Sequence, residues 1–197
     1  MQIETITIVG AGPMGRAIAC AALAAGYRTI LEDVLPERLR SAQAEISGWF
    51  DEVVATGKPT VEPKERAMAR LSTAGSVDLA CREANLVIET LPEEMEMKID
   101  VFCILEKFAR PGAILATNAS SLSITEIAAV TTRAQQCVGL RFFNTAPKMN
   151  QLEIVRGRET SDETVEACRG VGWRMGKEVV VVRESSGFAA AAPAAER

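Results

Sequence analysis

Short apolar runs alternate with longer segments of helical period along most of this chain. The first run, Thr5 to Val9, precedes a glycine turn and an alanine-rich segment, Pro13 to Ala25, which Gly26 ends as a helix C-cap glycine would. A strand at Thr29 to Leu31 is followed by a helix that begins near Pro36 and continues to about residue 55. This alternation predicts strand–helix–strand units and a parallel sheet.

The same alternation of strands and helices continues to about residue 182. Further strands are predicted at 71–74, 86–88, 113–117, 138–143, 152–155 and 178–182, and further helices at 77–84, 94–109 and 124–130. Ser123 with Glu126, and Thr160 with Glu163, match the capping box that opens a helix. We therefore predict an α/β fold with a doubly wound, mostly parallel sheet of the Rossmann type over residues 1–187. Residues 188–197 contain six alanines and a proline, which predicts a tail or a truncated stub.

Length and composition exclude several classes of protein. The 197 residues correspond to one full domain, since domains average about 150 residues. A hydrophobic content of 48% excludes a disordered chain, and no apolar run approaches the roughly 18 residues of a membrane span. The net charge of -4, without a long basic block, argues against nucleic acid or a membrane as a partner. The N-terminus carries no secretory pattern, so we expect a cytoplasmic location.

Two residue types limit the chemistry that is available. The five cysteines form no CxxC pair and have no histidine to share a metal with, so we predict reduced, mostly buried thiols and no metal site. They are Cys20, Cys81, Cys103, Cys137 and Cys168. The absence of histidine removes the usual acid–base group near neutral pH.

The glycine turn after the first strand has the sequence Gly10-Ala11-Gly12-Pro13-Met14-Gly15. It fits the GxGxxG pattern, in which the first glycine permits a tight turn, the second lets the backbone approach a diphosphate, and the third allows close packing of helix and strand. The helix N-terminus attracts the negative charge. The simpler alternatives are a tight turn without a ligand and the glycine loop of a methyltransferase.

An acidic residue at the end of the second strand completes the pattern. Asp33 follows Gly12 by 21 residues, where a carboxylate accepts hydrogen bonds from ribose hydroxyls and repels a 2'-phosphate. The pattern therefore favours NAD over NADP. Arg28 and Arg38 are nearby cations that could alter this preference, and we interpret both as solvated surface residues.

Several segments of the chain occur in the order and spacing of one protein family. They are residues 10–15, 87–93 with Lys98, 116–122, 142–144, 152–155 and 175–177. Over about residues 3–188 the chain resembles the NAD-binding domain of the L-3-hydroxyacyl-CoA dehydrogenases, which include 3-hydroxybutyryl-CoA dehydrogenases. The resemblance implies oxidation of a 3-hydroxyacyl-CoA thioester to the 3-oxoacyl-CoA, with NAD as the cofactor and an acyl-CoA as the substrate partner.

The resemblance also implies roles for individual residues. Asp33 would hold the adenosine ribose, and Glu93 and Lys98 would lie along the nicotinamide half of NAD. Ser120 would hydrogen-bond the 3-oxygen of the substrate, with Asn144 near the reacting centre. Glu93 could instead be an acid in the first turn of a helix, and Ser120 and Asn144 could be ordinary turn residues. The implied cofactor-binding set is Gly10, Gly12, Pro13, Met14, Gly15, Asp33, Glu93, Lys98 and Asn118.

The chain departs from the family at the general base. The family has a histidine before Phe-Phe-Asn, oriented by a glutamate twelve residues later, and these positions are Arg141 and Glu153 here. A guanidinium has no acceptor lone pair and stays protonated, so Arg141 cannot remove a proton. We expect an ion pair between Arg141 and Glu153, with Arg141 as a stabiliser of a carbonyl oxygen in the reductive direction. Lys148 is a conceivable substitute base, although a solvated lysine is the simpler interpretation.

A second departure concerns the C-terminus. The family normally continues after the Gly-Phe of residues 187–188 into a helical domain that forms part of the acyl-CoA site and the dimer interface, and we expect that domain to be absent here. A homodimer would then lack its usual interface. The sequence leaves two hypotheses: a dehydrogenase, with catalytic candidates Ser120, Arg141, Asn144 and Glu153 and with activity impaired by Arg141, or a non-catalytic NAD-binding module or structural relative of the family.

Overall fold

One eight-stranded sheet flanked by helices accounts for residues 2–55, 63–143 and 150–184, which are the residues that the computed structural model describes. The strands are β1 (Thr5–Val9), β2 (Arg28–Glu32), β3 (Leu71–Ala74), β4 (Leu86–Glu89), β5 (Ile114–Thr117), β6 (Cys137–Phe142), β7 (Gln151–Arg156) and β8 (Glu178–Arg183). The helices are α1 (Pro13–Ala24), α2 (Pro36–Ala55), α3 (Lys64–Met68), α4 (Val77–Ala80), α5 (Met95–Phe108), α6 (Ile124–Ala128) and α7 (Asp162–Arg174), with a 3-10 turn at Ala134–Gln136.

The strand order is β3-β2-β1-β4-β5-β6-β7-β8, and every neighbouring pair is parallel except β6 and β7. The chain winds outward from β1 to β3 and then returns to place β4 on the other side of β1. The connections that follow β1 and β4 therefore leave the sheet in opposite directions, which opens a crevice at the carboxyl ends of these strands. The predicted doubly wound, mostly parallel α/β fold is confirmed.

Two apolar layers hold the helices against the sheet. On one face, Ile6 and Ile8 of β1 are fully buried together with residues of α1 and α2. On the other face, Val87 and Leu115 are buried with the apolar side of α5, including Phe102. Because β4 and β5 are covered on both faces, each is apolar at every position except its last, as the sequence pattern indicated.

Most predicted elements agree with the structure to within two residues. The helix predicted over 77–84 ends at Ala80, and the short helix α3 and the 3-10 turn were not predicted. The Ser123 cap is confirmed, since its hydroxyl accepts from the N–H of Glu126 at 3.1 Å. The cap predicted at Thr160 is wrong: its hydroxyl donates to the carbonyl of Cys137, and Ser161 caps α7 instead.

The cysteines follow the sequence interpretation. All five are free, and only Cys103 is exposed. Burial raises the pKa of Cys20 and Cys168 to about 12, which makes these thiols unreactive at neutral pH. Within the described ranges, no three histidine, cysteine or acidic side chains are grouped so that they could hold a metal ion, and no helix is long and apolar enough to cross a membrane.

Candidate functional site

The glycine loop between β1 and α1 is shaped by two glycines. Gly10 has a φ of +100°, a backbone conformation that favours glycine, and its N–H donates to the carbonyl of Glu32 at 2.9 Å. A Cβ on Gly15 would lie 1.9 Å from the carbonyl oxygen of Gly10, so a larger residue would separate the first turn of α1 from the loop. These two glycines determine how the loop folds.

The middle glycine has no such structural role. Gly12 is the N-cap of α1 with φ -70° and ψ -178°, and a Cβ there would meet nothing within 4 Å. Pro13 occupies the first helical position, and the first turn of α1 contains no acidic residue. The side chain of Met14 packs against the core, which leaves its backbone as the part it offers to a cofactor. The space in front of Gly12 is therefore open and faces the positive end of α1, as a diphosphate requires.

Asp33 lies at the far edge of this loop, directly after β2. Its Oδ2 accepts from the N–H of Ala11 at 3.1 Å, and its Oδ1 accepts from the N–H of Leu35 at 3.0 Å. The carboxylate is thereby fixed in position with further lone pairs on each oxygen, which fits its predicted contact with ribose hydroxyls.

The two arginines near Asp33 in sequence have different surroundings. Arg28, at the start of β2, is exposed and pairs with Glu83 at 2.6 Å, as expected for a surface residue. Arg38 is also exposed, with 62% of its side chain accessible, but its Nη1 lies 3.8 Å from Oδ2 of Asp33. Arg38 is thus a solvated surface residue, as interpreted from the sequence, and it also contacts Asp33.

Glu32, directly before Asp33, is a buried carboxyl that the sequence analysis did not single out. It is only 2% exposed at the end of β2, and its Oε1 has no hydrogen-bond partner among the described residues. Burial and the neighbouring charge of Asp33 raise the pKa of Glu32 to about 7, against a smaller opposing effect of the N–H of Gly10. The sequence offered one signal for this buried carboxyl: Glu32 directly follows the apolar residues Ile30 and Leu31 of β2.

Lys98 is buried in a hydrogen-bonded cluster at the end of β4. Its Nζ lies 2.9 Å from both carboxylate oxygens of Glu89 and 3.0 Å from the carbonyl of Leu91. The hydroxyl of Thr117 donates to the same carboxylate at 2.6 Å. All three ammonium hydrogens are thus used within the protein, and Lys98 connects α5 to the ends of β4 and β5. Its predicted position beside the cofactor stays a prediction.

Glu93 connects the turn after β4 to the turn after β5. Its Oε1 accepts from the N–H groups of Ser120 and Ser121 at 2.8 and 2.7 Å, and from both hydroxyls at 3.2 and 3.0 Å. Partial burial raises the pKa of Glu93, but these hydrogen bonds and the charge of Lys98 outweigh that effect and leave the pKa below its ordinary value. Glu93 precedes the N-cap of α5, Glu94, so the alternative of a first-turn acid is wrong.

Arg141 and Glu153 face each other across the antiparallel pair β6 and β7. Nη1 of Arg141 lies 3.7 Å from Oε2 of Glu153, so the expected ion pair is present, although it is too long for a hydrogen bond. Nε of Arg141 donates to the carbonyl of Ala119 at 2.9 Å, next to Ser120. The structure thus brings three of the four catalytic candidates to one edge of the sheet, namely Ser120, Arg141 and Glu153.

The remaining predicted residues are accounted for as follows. The Oδ1 of Asn118 accepts from the N–H of Phe142 at 2.8 Å, which joins the ends of β5 and β6. Asn144 and Lys148 lie outside the described residues.

Comparison with known proteins decides the family. Residues 5–185 match the family model described as 3-hydroxyacyl-CoA dehydrogenase, NAD binding domain. The chain belongs to the 3-hydroxyacyl-CoA dehydrogenase family. NAD is the cofactor of this domain, and the open loop at Gly12 and the fixed carboxylate of Asp33 fit it.

Individual relatives agree with this assignment. The chain is 37% identical over 186 residues to 3-hydroxybutyryl-CoA dehydrogenase of Bradyrhizobium diazoefficiens, and 37% identical over 188 residues to a probable 3-hydroxybutyryl-CoA dehydrogenase of Bacillus subtilis. These matches cover 94% and 95% of this chain but only 63% and 65% of the two dehydrogenases. A crystal structure of an Escherichia coli 3-hydroxybutyryl-CoA dehydrogenase superposes with a TM-score of 0.89 at 36% identity, covering 95% of this chain and 40% of that one.

Proposed function

We propose that this chain is the cofactor-binding part of an NAD-dependent dehydrogenase that interconverts 3-hydroxyacyl-CoA and 3-oxoacyl-CoA thioesters, and that Arg141 impairs its chemistry. The observation that carries the proposal is the convergence of the open glycine loop, the fixed carboxylate of Asp33 and the Ser120 turn along the carboxyl ends of β1, β2 and β5. A cytoplasmic location stays a prediction from the sequence.

Different residues would bind the cofactor and contact the reacting group of the substrate. The backbone of the glycine loop would hold the diphosphate of NAD, and Asp33 would accept from a ribose hydroxyl. The chemistry that NAD would supply when bound is acceptance of the hydride from C3 of the substrate. The hydroxyl of Ser120 donates to Glu93 at 3.2 Å and would redirect its hydrogen to the 3-oxygen of the substrate, while Glu93 still holds the turn through two N–H groups.

Proton transfer is the step for which the chain is poorly equipped. Oxidation of a 3-hydroxyl requires a group that takes its proton, and such a base typically contributes about 10²–10⁴-fold to the rate. Arg141 has no lone pair to accept that proton, and Glu153 is paired with its guanidinium. In the reductive direction the buried cation of Arg141 is suited to stabilise negative charge that develops on the 3-oxygen, and the proton that completes the 3-hydroxyl would come from water. We therefore propose slow turnover in both directions, because the group that would exchange the proton is missing.

Arg141 also favours a second candidate function. A domain that retains the cofactor loop but lacks a base would bind NAD without turnover, as a non-catalytic module. The two candidates differ in one measurable property, which is the oxidation of NADH in the presence of a 3-oxoacyl-CoA.

Assay of NADH oxidation with acetoacetyl-CoA separates these candidates. We expect Arg141→His to exceed the parent chain in turnover by about 100-fold, because it restores a group that exchanges protons near neutral pH. Arg158→His is the matched control, since Arg158 is an exposed arginine, and it should not exceed the parent. Measurable and equal turnover of the parent and Arg141→His would refute the impairment by Arg141. Absence of turnover in both, with NADH still bound, would favour the non-catalytic module.

A further inference from the structure

The ribose-binding edge of the site contains a cation as well as a carboxylate. Arg38 lies in the first turn of α2, with Nη1 3.8 Å from Oδ2 of Asp33. The two side chains differ in freedom: that of Asp33 is 6% exposed and that of Arg38 is 62% exposed. A guanidinium that is close to the carboxylate and largely solvated can change partners without disturbing the core.

Asp33 cannot move away easily when a ligand arrives. Each of its oxygens accepts a backbone N–H, from Ala11 on one side and from Leu35 on the other. Its negative charge therefore stays at the edge of the loop and opposes any second anion there. A 2'-phosphate would bring such a charge to this point, whereas a 2'-hydroxyl would donate a hydrogen bond.

Arg38 has the opposite preference. Its planar fork of N–H groups fits phosphate oxygens and forms charge-assisted hydrogen bonds with them. In NADP-binding domains of this architecture, an arginine near the ribose-binding carboxylate position accommodates the 2'-phosphate. In this chain the ion pair with Asp33 offsets part of the charge of Arg38. The two side chains have opposite preferences for the 2'-substituent of the adenosine ribose: Asp33 favours a hydroxyl and Arg38 favours a phosphate.

We propose that Arg38 is a second specificity-determining residue of the cofactor site: it pairs with Asp33 when NAD is bound, and it binds the 2'-phosphate of NADP when the charge of Asp33 is removed. This inference rests on the assignment of the glycine loop and Asp33 to the cofactor. It predicts that the choice between the two cofactors depends on a pair of residues and not on Asp33 alone.

Fluorescence titration of NADH and NADPH against four proteins tests the proposal: the parent, Asp33→Asn, Arg38→Gln and the double variant. We expect Asp33→Asn to reduce the preference for NADH by at least tenfold. In that background, Arg38→Gln should weaken NADPH binding by a further factor of about ten, as expected for loss of a charge-assisted contact, and leave NADH binding within about twofold. Arg40→Gln, an exposed arginine on the same helix, is the matched control and should change neither affinity.

The outcomes separate this inference from the cofactor assignment. If NADH binds the parent but Arg38→Gln does not weaken NADPH binding in the Asp33→Asn background, Arg38 has no role in specificity and the inference is wrong. If the parent binds neither nucleotide, the cofactor assignment fails as well. Should Asp33→Asn reduce the folded fraction, Asp33→Ser supports the same comparison, because its hydroxyl still offers an acceptor to a backbone N–H.

Discussion

Gly12→Ala is expected to weaken NADH binding by more than about tenfold while the protein stays folded. The added methyl group would meet no protein atom within 4 Å, and the φ of -70° is accessible to alanine. We therefore expect the free energy of unfolding to change by less than about 1 kcal/mol. The methyl group would instead occupy the space in which the diphosphate approaches the backbone. Titration of NADH and thermal unfolding of the same sample give both quantities.

Gly15→Ala provides the contrasting variant. Its Cβ would lie 1.9 Å from the carbonyl oxygen of Gly10, so both NADH binding and stability should fall, the latter by about 3 kcal/mol. Gly48→Ala is the control, because Gly48 is also helical and its Cβ would meet nothing. That variant should bind NADH normally, and its free energy of unfolding should increase by about 0.5–1 kcal/mol. Normal NADH affinity in Gly12→Ala would indicate that the diphosphate does not approach the backbone at Gly12 and that the loop is only a tight turn.

The second large expected effect is a pH-dependent change in the free energy of unfolding, caused by the buried carboxyl of Glu32. Its pKa in the folded protein is about 7, against an ordinary value of 4.5, because of burial and the charge of Asp33. The folded state therefore binds this proton more tightly than the unfolded chain. The associated stabilisation is complete below about pH 4.5 and is lost as the pH rises through 7. The shift corresponds to a loss of about 3 kcal/mol between these limits.

Glu32→Gln removes this titration and isolates its effect. Relative to the parent, the variant should become more stable as the pH increases from 4.5 to 8, by a total of about 3 kcal/mol. Urea unfolding at a series of pH values measures the difference. Glu52→Gln, at an exposed position on α2, should show little pH-dependent difference from the parent. A constant difference between Glu32→Gln and the parent across this range would show that Glu32 does not titrate as described.

The order of elements and the glycine loop could be predicted from the sequence because both depend on local patterns. Buried parallel strands are apolar at nearly every position, and a GxGxxG turn between a strand and a helix determines its own conformation through Gly10 and Gly15. The pair Arg141 and Glu153 was also predictable, since these residues lie on neighbouring strands that the family pattern places together.

Contacts between distant turns could not be predicted in the same way. The adjacency of β4 and β5 brings Glu93 and Ser120 to one edge of the sheet, but the sequence does not specify that this carboxylate is held by the backbone of that turn. Similarly, the burial of Lys98 depends on Glu89, nine residues earlier and on a different element. The contact of Arg38 with Asp33 depends on the turn that leads into α2.

A crystal structure of the protein with NAD tests the central claim most directly, because that claim is a position in space. We predict a diphosphate against the backbone at the start of α1, in front of Gly12, with an adenosine ribose hydroxyl within hydrogen-bond distance of Asp33. A loop that stays empty at saturating NAD, or a cofactor bound elsewhere on the sheet, would contradict the account.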